Sequence, residues 1–435
     1  MKICRWNKAS LAPLLFVCAL QVGAVKYDPM PTIPHEYPLD NAELQAYTSK
    51  GAASSAQVEA MRRHGWALFS SLVAPSGTNQ QAVRWQTCYT VDDVMKRQAN
   101  CLAASAPASS AAHSFEADYQ SSPTPRPRKT AEEIRYNLET CRFIEGDNRG
   151  RVSLAGPEAI LSVLRSGKYN DLAELENESA NRMITVKAKW VGLDDGDEIS
   201  TWNGRVPTAG LSRTSEISEM KQGLPTVCVA EQQETCMGKS WVSPNRFYHF
   251  TPHCKGCPTY VLLAGLHIAT REQANWVWAT YWWHDQPDMA PFGDGRPAFL
   301  QPDRSVWGNY LMDVAYDMDF PTEKDGKPHI AFNPWLEGTD VDGLVSNCMS
   351  CHRRASTLGT AENVVTVNAL GHMMPNSSPL ATVVRGSDAT FNTFFDVPFD
   401  DPKRLKLGFI WSLVRGTDVD PPLASQPTIK KNEKP

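Results

Sequence analysis

An excess of positive charge is missing from this chain of 435 residues: 43 Lys and Arg stand against 48 Asp and Glu, a formal charge of −5. That balance argues against nucleic acid and against an anionic membrane surface as partners. Also missing are a P-loop, a Gly-x-Gly-x-x-Gly fingerprint and a Gly-x-Ser-x-Gly elbow. Nucleotide cradles and serine-hydrolase chemistry therefore have no support. The acidic runs Asp194-Asp195-Gly196-Asp197-Glu198 and Asp313, Asp317, Asp319 lack the closing Glu of an EF-hand loop, so they read as a solvated turn and a polar strand edge. No internal repeat is apparent. After Val22 no apolar run approaches the ~20 residues needed to cross a bilayer. Neither the length nor the 42% hydrophobic content suggests disorder.

The one long apolar run lies at the N-terminus. Lys2, Arg5 and Lys8 precede the run Leu11 to Val22, and Val22-Gly23-Ala24 offers the small residues of a cleavage site. This is the pattern of a secretory signal peptide over 1–24. Cleavage would leave 411 residues, enough for about two or three domains. It would also shift the charge to about −8, because the leader carries three basic residues and no acidic one. The expected destination is the periplasm, or secretion.

Nine of the 11 cysteines lie beyond the leader, and two of them stand in Cys348-Met349-Ser350-Cys351-His352. This is C-x-x-C-H, the spacing at which two thiols add across the vinyl groups of a haem. Two Cys within one helical turn reach both vinyls, and the adjacent His lies beneath the iron as an axial ligand. A zinc half-site or a redox dithiol would each need partners elsewhere. Seven cysteines remain, and an oxidising compartment favours their pairing. Cys228 with Cys236 and Cys254 with Cys257 are candidate local bridges; the alternative for these four is a thiolate zinc site. An odd number leaves one thiol single, or paired outside the chain.

The expected fold class is α+β. An N-terminal domain over 25–335, a mostly antiparallel sheet plus helices, precedes a small all-α domain over 336–425 and a tail over 426–435. Helical periodicity runs from Gln57 to Val73, with Val58, Met61, Trp66, Leu68 and Leu72 apolar. An Ala/Ser/Pro-rich excursion occupies 102–129. Thr130 and Glu133 form a capping-box pattern that predicts a helix, and Pro157 to Arg165 predicts another with Pro in its first turn. Strands are expected over Met183 to Val191, Phe247 to Thr251, Tyr260 to Thr270 and Asn275 to His284. The last two are joined as a hairpin by Arg271-Glu272-Gln273-Ala274. Toward the end, Asp342 to Ser346 suits a short helix delivering the C-x-x-C-H, and Arg404 to Arg415 suits a closing helix.

Over its last fifth to quarter the chain resembles a class I c-type cytochrome. The residues that carry this are Asn347-Cys348-Met349-Ser350-Cys351-His352, Met374-Pro375 and Leu407-Gly408-Phe409-Ile410-Trp411-Ser412-Leu413. As a whole it resembles larger exported bacterial proteins with one c-type haem behind an unfamiliar N-terminal domain. The resemblance implies one covalently bound haem c, held by Cys348 and Cys351. His352 would be the proximal ligand and Met374 the first candidate for the distal one. His372 and Met373 are its rivals. Only 21 residues separate His352 from Met374, a shorter loop than the family uses, so an open sixth position is also carried. A thioether raises the potential, a second imidazole lowers it, and an open iron binds small ligands.

The expected function is one-electron transfer, with the N-terminal domain docking a redox partner protein or a small-molecule substrate. One alternative is a peroxidase- or oxidase-like haem enzyme with an open distal site. Another is a ligand-binding or sensory module in which the haem is structural. Of 13 Trp, Trp276, Trp278 and Trp282 are expected on one strand face and Trp283 on the other, read as a heavy core rather than an aromatic platform. His249, His253, His267 and His284 lie near them without a ligand signature.

Overall fold

The computed structural model describes residues 37–39, 42–43, 54–76, 83–95, 101, 130–146, 153–176, 180–204, 223–316, 329–337, 348, 352, 355–357, 405–408 and 410–414. Helix α1, Ser55–Val73, follows the expected periodicity. The Ser54 hydroxyl accepts from the Gln57 N–H at 3.2 Å, and the Gln57 side chain accepts from the Ser54 N–H at 2.8 Å, closing a capping box. Met61, Trp66, Leu68, Phe69 and Leu72 are buried, whereas Val58 is 38% exposed and lies outside the apolar stripe. Next come strand β1 (Tyr89–Thr90) and the short helix α2 (Val91–Met95).

Thr130 opens a strand, not the expected helix: β2 spans Thr130–Tyr136. Pairing with a neighbouring strand overrides the local T-x-x-E signal, and Glu133 is held by Arg135 and by the Trp190 indole instead of by its own backbone. The true N-cap is Asn137, whose side chain accepts from the Thr140 N–H and starts α3, Leu138–Glu145. Helix α4, Pro157–Ser166, has Pro in its first turn as expected and ends at Gly167, which adopts the left-handed conformation.

Strand β3 is Ile184–Leu193. Strands β4 (Glu198–Ser200), β5 (Thr226–Val229) and β6 (Trp241–Val242) form a separate three-stranded sheet. The main sheet is completed by β7 (His249–Phe250), β8 (Tyr260–Thr270), β9 (Val277–Trp283) and β10 (Tyr310–Ala315). Its order is β1-β2-β3-β8-β9-β10, with β7 on β8, and every pairing is antiparallel. The β8–β9 hairpin forms as the sequence indicates. Among the described residues no helix is long and apolar enough to cross a membrane.

Each face of this sheet carries its own core. On the first, α1 lies against β10 at Gly65, where a Cβ would stand 2.7 Å from a Val314 methyl. Phe69 stacks on Tyr281 with centroids 4.3 Å apart, and the Tyr281 hydroxyl donates to the Gly65 carbonyl at 2.6 Å. On the second, residues from α2, α3 and α4 pack with Tyr136, Ala269, Trp276 and Trp278. Cys348, Ala355, Leu405, Leu407, Ile410 and Leu413 belong to this same cluster.

The closing helix expected over 404–415 is replaced by other structure. Leu405–Lys406 is a strand, β12, paired with β11 (Ser356–Thr357), and Trp411–Val414 is a 3-10 turn. Leu405 and Leu407 are buried with Lys406 half-exposed between them, a period of two that suits a strand. Gly408 then takes φ 55°, which interrupts a right-handed helix.

Candidate functional site

The second sheet face brings lone polar residues from four strands into one row. The register sets Lys187 opposite His267, His267 opposite Thr280, and Thr280 opposite Asp313. Directly opposed residues share a face, so the four side chains cross the sheet as a band. The segment 329–337 covers them. His329 Nε2 lies 2.8 Å from Asp313 Oδ1, Asn333 Nδ2 donates to Thr280 Oγ1 at 2.9 Å, and Lys187 donates to the Leu336 carbonyl at 3.1 Å. Glu132 pairs with Lys187 at 3.2 Å and with Lys189 at 3.1 Å. Glu337 stands 3.7 Å from His267 Nε2, but the same carboxylate oxygen accepts from the Asn333 N–H at 3.0 Å.

Beside this row lie the described members of the C-x-x-C-H. Cys348 and His352 both have helical backbone. Cys348 is buried in the second-face core, and the His352 ring rests on Trp278 with centroids 4.2 Å apart and planes tilted by 40°. Trp278 is fixed in turn: its indole N–H donates to the Asn275 carbonyl at 3.0 Å, and Trp276 packs 6.0 Å away. Trp276 lies just before β9 with φ 64°, a conformation that costs a bulky residue energy and that its burial enforces.

Three buried side-chain atoms around this spot have no hydrogen-bond partner among the described residues: Thr185 Oγ1, His267 Nε2 and Trp276 Nε1. Thr185 and Trp278 both pair with Ala269, the small residue at the centre of the patch. Burial holds the His267 pKa well below the ordinary histidine value, helped by Lys187 and His352 and opposed by Glu132. The donor chemistry fits a covalently held haem: a thiol and an imidazole four positions apart, an apolar wall of Trp276, Trp278, Ala269 and Ala315, and buried polar atoms without a hydrogen-bond partner among the described residues.

Of the residues singled out from sequence, Cys351, Met374, Met373 and His372 lie outside the described residues. Cys228–Cys236 and Cys254–Cys257 are disulfides, which removes the four-thiolate zinc reading. A third bridge, Cys101–Cys141, ties residue 101 to α3. The only grouping of potential metal ligands among the described residues is Cys101, Cys141 and Glu145, and two of its members form that disulfide. The acidic turn spends its carboxylates internally: Asp194 accepts from the Thr259 N–H, Asp195 from the Tyr260 hydroxyl, and Glu198 pairs with Lys239. Asp313 sits on β10 in the polar row.

His249, His253 and His284 do not converge on this site; His284 pairs with Asp285 at 3.0 Å. Trp276, Trp278, Trp282 and Trp283 are at most 5% exposed, so they form core and not an exposed platform. Sequence reasoning missed Lys187, Thr280, His329, Asn333 and Glu337. Each is an isolated polar residue, and only strand register assembles them. No protein-family model, curated protein or solved structure matches this chain.

Proposed function

We propose that the protein is a periplasmic, or secreted, mono-haem c-type cytochrome that mediates one-electron transfer. Cys348 and Cys351 are the attachment thiols, His352 the proximal ligand and Met374 the sixth ligand. The observation that carries this reading is the C-x-x-C-H itself, supported by the helical backbone at Cys348 and His352 and by the apolar wall they face. When bound, the haem supplies a ferric/ferrous couple. The chain's own residues do the rest. Trp278 supports the His352 ring and sets its orientation. The haem module is assigned to 336–425. That assignment rests on the attachment motif; the β11–β12 strand pair within these residues departs from the all-α fold expected of a class I domain. The N-terminal domain, 25–335, docks a redox partner protein or a small-molecule substrate.

A second reading, a haem enzyme with an open sixth position, is favoured by one observation. More than 300 residues precede a module for which about 100 suffice to carry an electron. One experiment separates the two. Protein from a haem-maturing host is examined by absorption spectroscopy when oxidised, reduced, and reduced under carbon monoxide. Covalent haem with a low-spin reduced spectrum indifferent to carbon monoxide is the expected result. A prompt shift under carbon monoxide moves the assignment to the enzyme, and absence of covalent haem overturns both. His352→Ala should abolish the low-spin spectrum, and Met374→Ala should open the iron to small ligands.

A further inference from the structure

We propose that His267, on the central strand β8, is a positioning residue for the iron-ligating imidazole: its Nε2 accepts the hydrogen bond from the ring nitrogen of His352 that does not bind iron. This rests on the haem reading and extends it to a residue more than 80 positions upstream of the motif. The argument is geometric. His267 lies on the same sheet face as Trp278, two residue pairs along the β8–β9 ladder, and Trp278 carries the His352 ring at 4.2 Å. His267 Nε2 is buried and has no hydrogen-bond partner among the described residues; the Glu337 carboxylate, at 3.7 Å, is beyond hydrogen-bonding distance. A buried polar atom without a partner costs stability, and a hydrophobic residue in the middle of β8 would avoid that cost. Once iron takes one nitrogen of His352, the other carries a proton and needs an acceptor. His267 Nε2, on the same sheet face, can provide one.

Such outer partners fix the rotation of a ligating imidazole and raise its basicity, which favours the ferric state. Removing the acceptor should therefore raise the reduction potential. The effect expected is about tenfold in the oxidised-to-reduced ratio at fixed applied potential, about 59 mV for one electron.

The test compares wild type with His267→Leu and His267→Gln, each purified with its haem. Spectroelectrochemistry gives the potential, and resonance Raman of the ferrous protein, with the distal ligand displaced, gives the iron–imidazole stretch. Leu should raise the potential by that factor and lower the stretching frequency. Gln, which keeps an acceptor oxygen, should restore most of both. A Leu variant within twofold of wild type in that ratio, with an unmoved stretch, overturns the proposal. Should the Leu protein fail to accumulate, His267→Asn, too short to reach, takes its place against Gln, and equal values for the two overturn it as well. Wild type without covalent haem refutes the haem reading itself; haem present with unchanged values refutes only the role of His267.

Discussion

The contact between Trp278 and His352 can be weighed by a double-mutant cycle. Trp278 is 5% exposed, and truncating a buried aromatic to Ala costs about 3–5 kcal/mol. Most of that loss is generic: burial against Ala269, Ala315 and Trp276, plus about 1 kcal/mol for the hydrogen bond to Asn275. Only the part shared with His352 is specific. Rings 4.2 Å apart at a 40° tilt are expected to contribute about 0.5–1.5 kcal/mol beyond area burial. The variants are Trp278→Leu, His352→Ala and the pair, made in the haem-free protein and unfolded in urea. Coincident far- and near-ultraviolet circular dichroism transitions confirm that two-state arithmetic applies. The double variant should be less destabilised than the sum of the singles by about 0.5–1.5 kcal/mol. An interaction energy below about 0.3 kcal/mol would show that the ring is not seated on Trp278, and the orientation argument for the iron ligand would go with it.

Other outcomes are open to the same kind of check. Glu272 accepts from the Leu39 N–H and Thr270 hydroxyl and meets His64 at 3.0 Å, all buried; Glu272→Ala should destabilise by about 3–5 kcal/mol, and a loss under about 1 kcal/mol in urea unfolding would contradict its role as a hub. Opening Cys101–Cys141, whose partners are 40 residues apart, by the double Ser variant should cost about 4 kcal/mol if chain entropy governs, read as the drop in urea midpoint at constant slope. Cys88, the half-buried thiol outside the three bridges, is pushed up to about 12 by burial, with Arg135 opposing. Its stabilising contribution is complete below the ordinary thiol value of about 8.5 and is lost as pH rises toward about 12. Iodoacetamide at pH 8 should leave it unlabelled in the native state and label it in urea; rapid native labelling would mean an accessible thiolate.

Local patterns transferred well where a single element carried them. Helices α1 and α4, strands β3, β8 and β9 and the hairpin between the last two follow directly from periodicity and turn residues. The bridges Cys228–Cys236 and Cys254–Cys257 were legible because their partners are close in the chain. Cys101–Cys141 was not, because α3 has to fold before the two thiols meet. Thr130 and Glu133 looked like a helix start since a capping box is read over four residues. The extended backbone of β2 sets Arg135 beside Glu133, pairing with β3 brings Trp190 to it, and together they outweigh the local signal. Over 404–415, likewise, the apolar residues taken together match a helical period, and at Leu405–Lys406 pairing with Ser356–Thr357 decides for a strand.

What the amino-acid order determined by itself is the chemistry proposed for this chain: two thiols and an imidazole at a spacing that matches a porphyrin edge and its iron. That depends only on covalent neighbours. What the tertiary structure alone decided is the setting. Lys187, His267, Thr280 and Asp313 come from four strands and form one row through a register set by the whole sheet. Trp278 meets His352 across 73 positions of chain because burying both on one sheet face removes apolar surface from water. Local chemistry needs only adjacent residues, whereas a site wall needs distant ones, and their meeting is settled by the packing of the entire core.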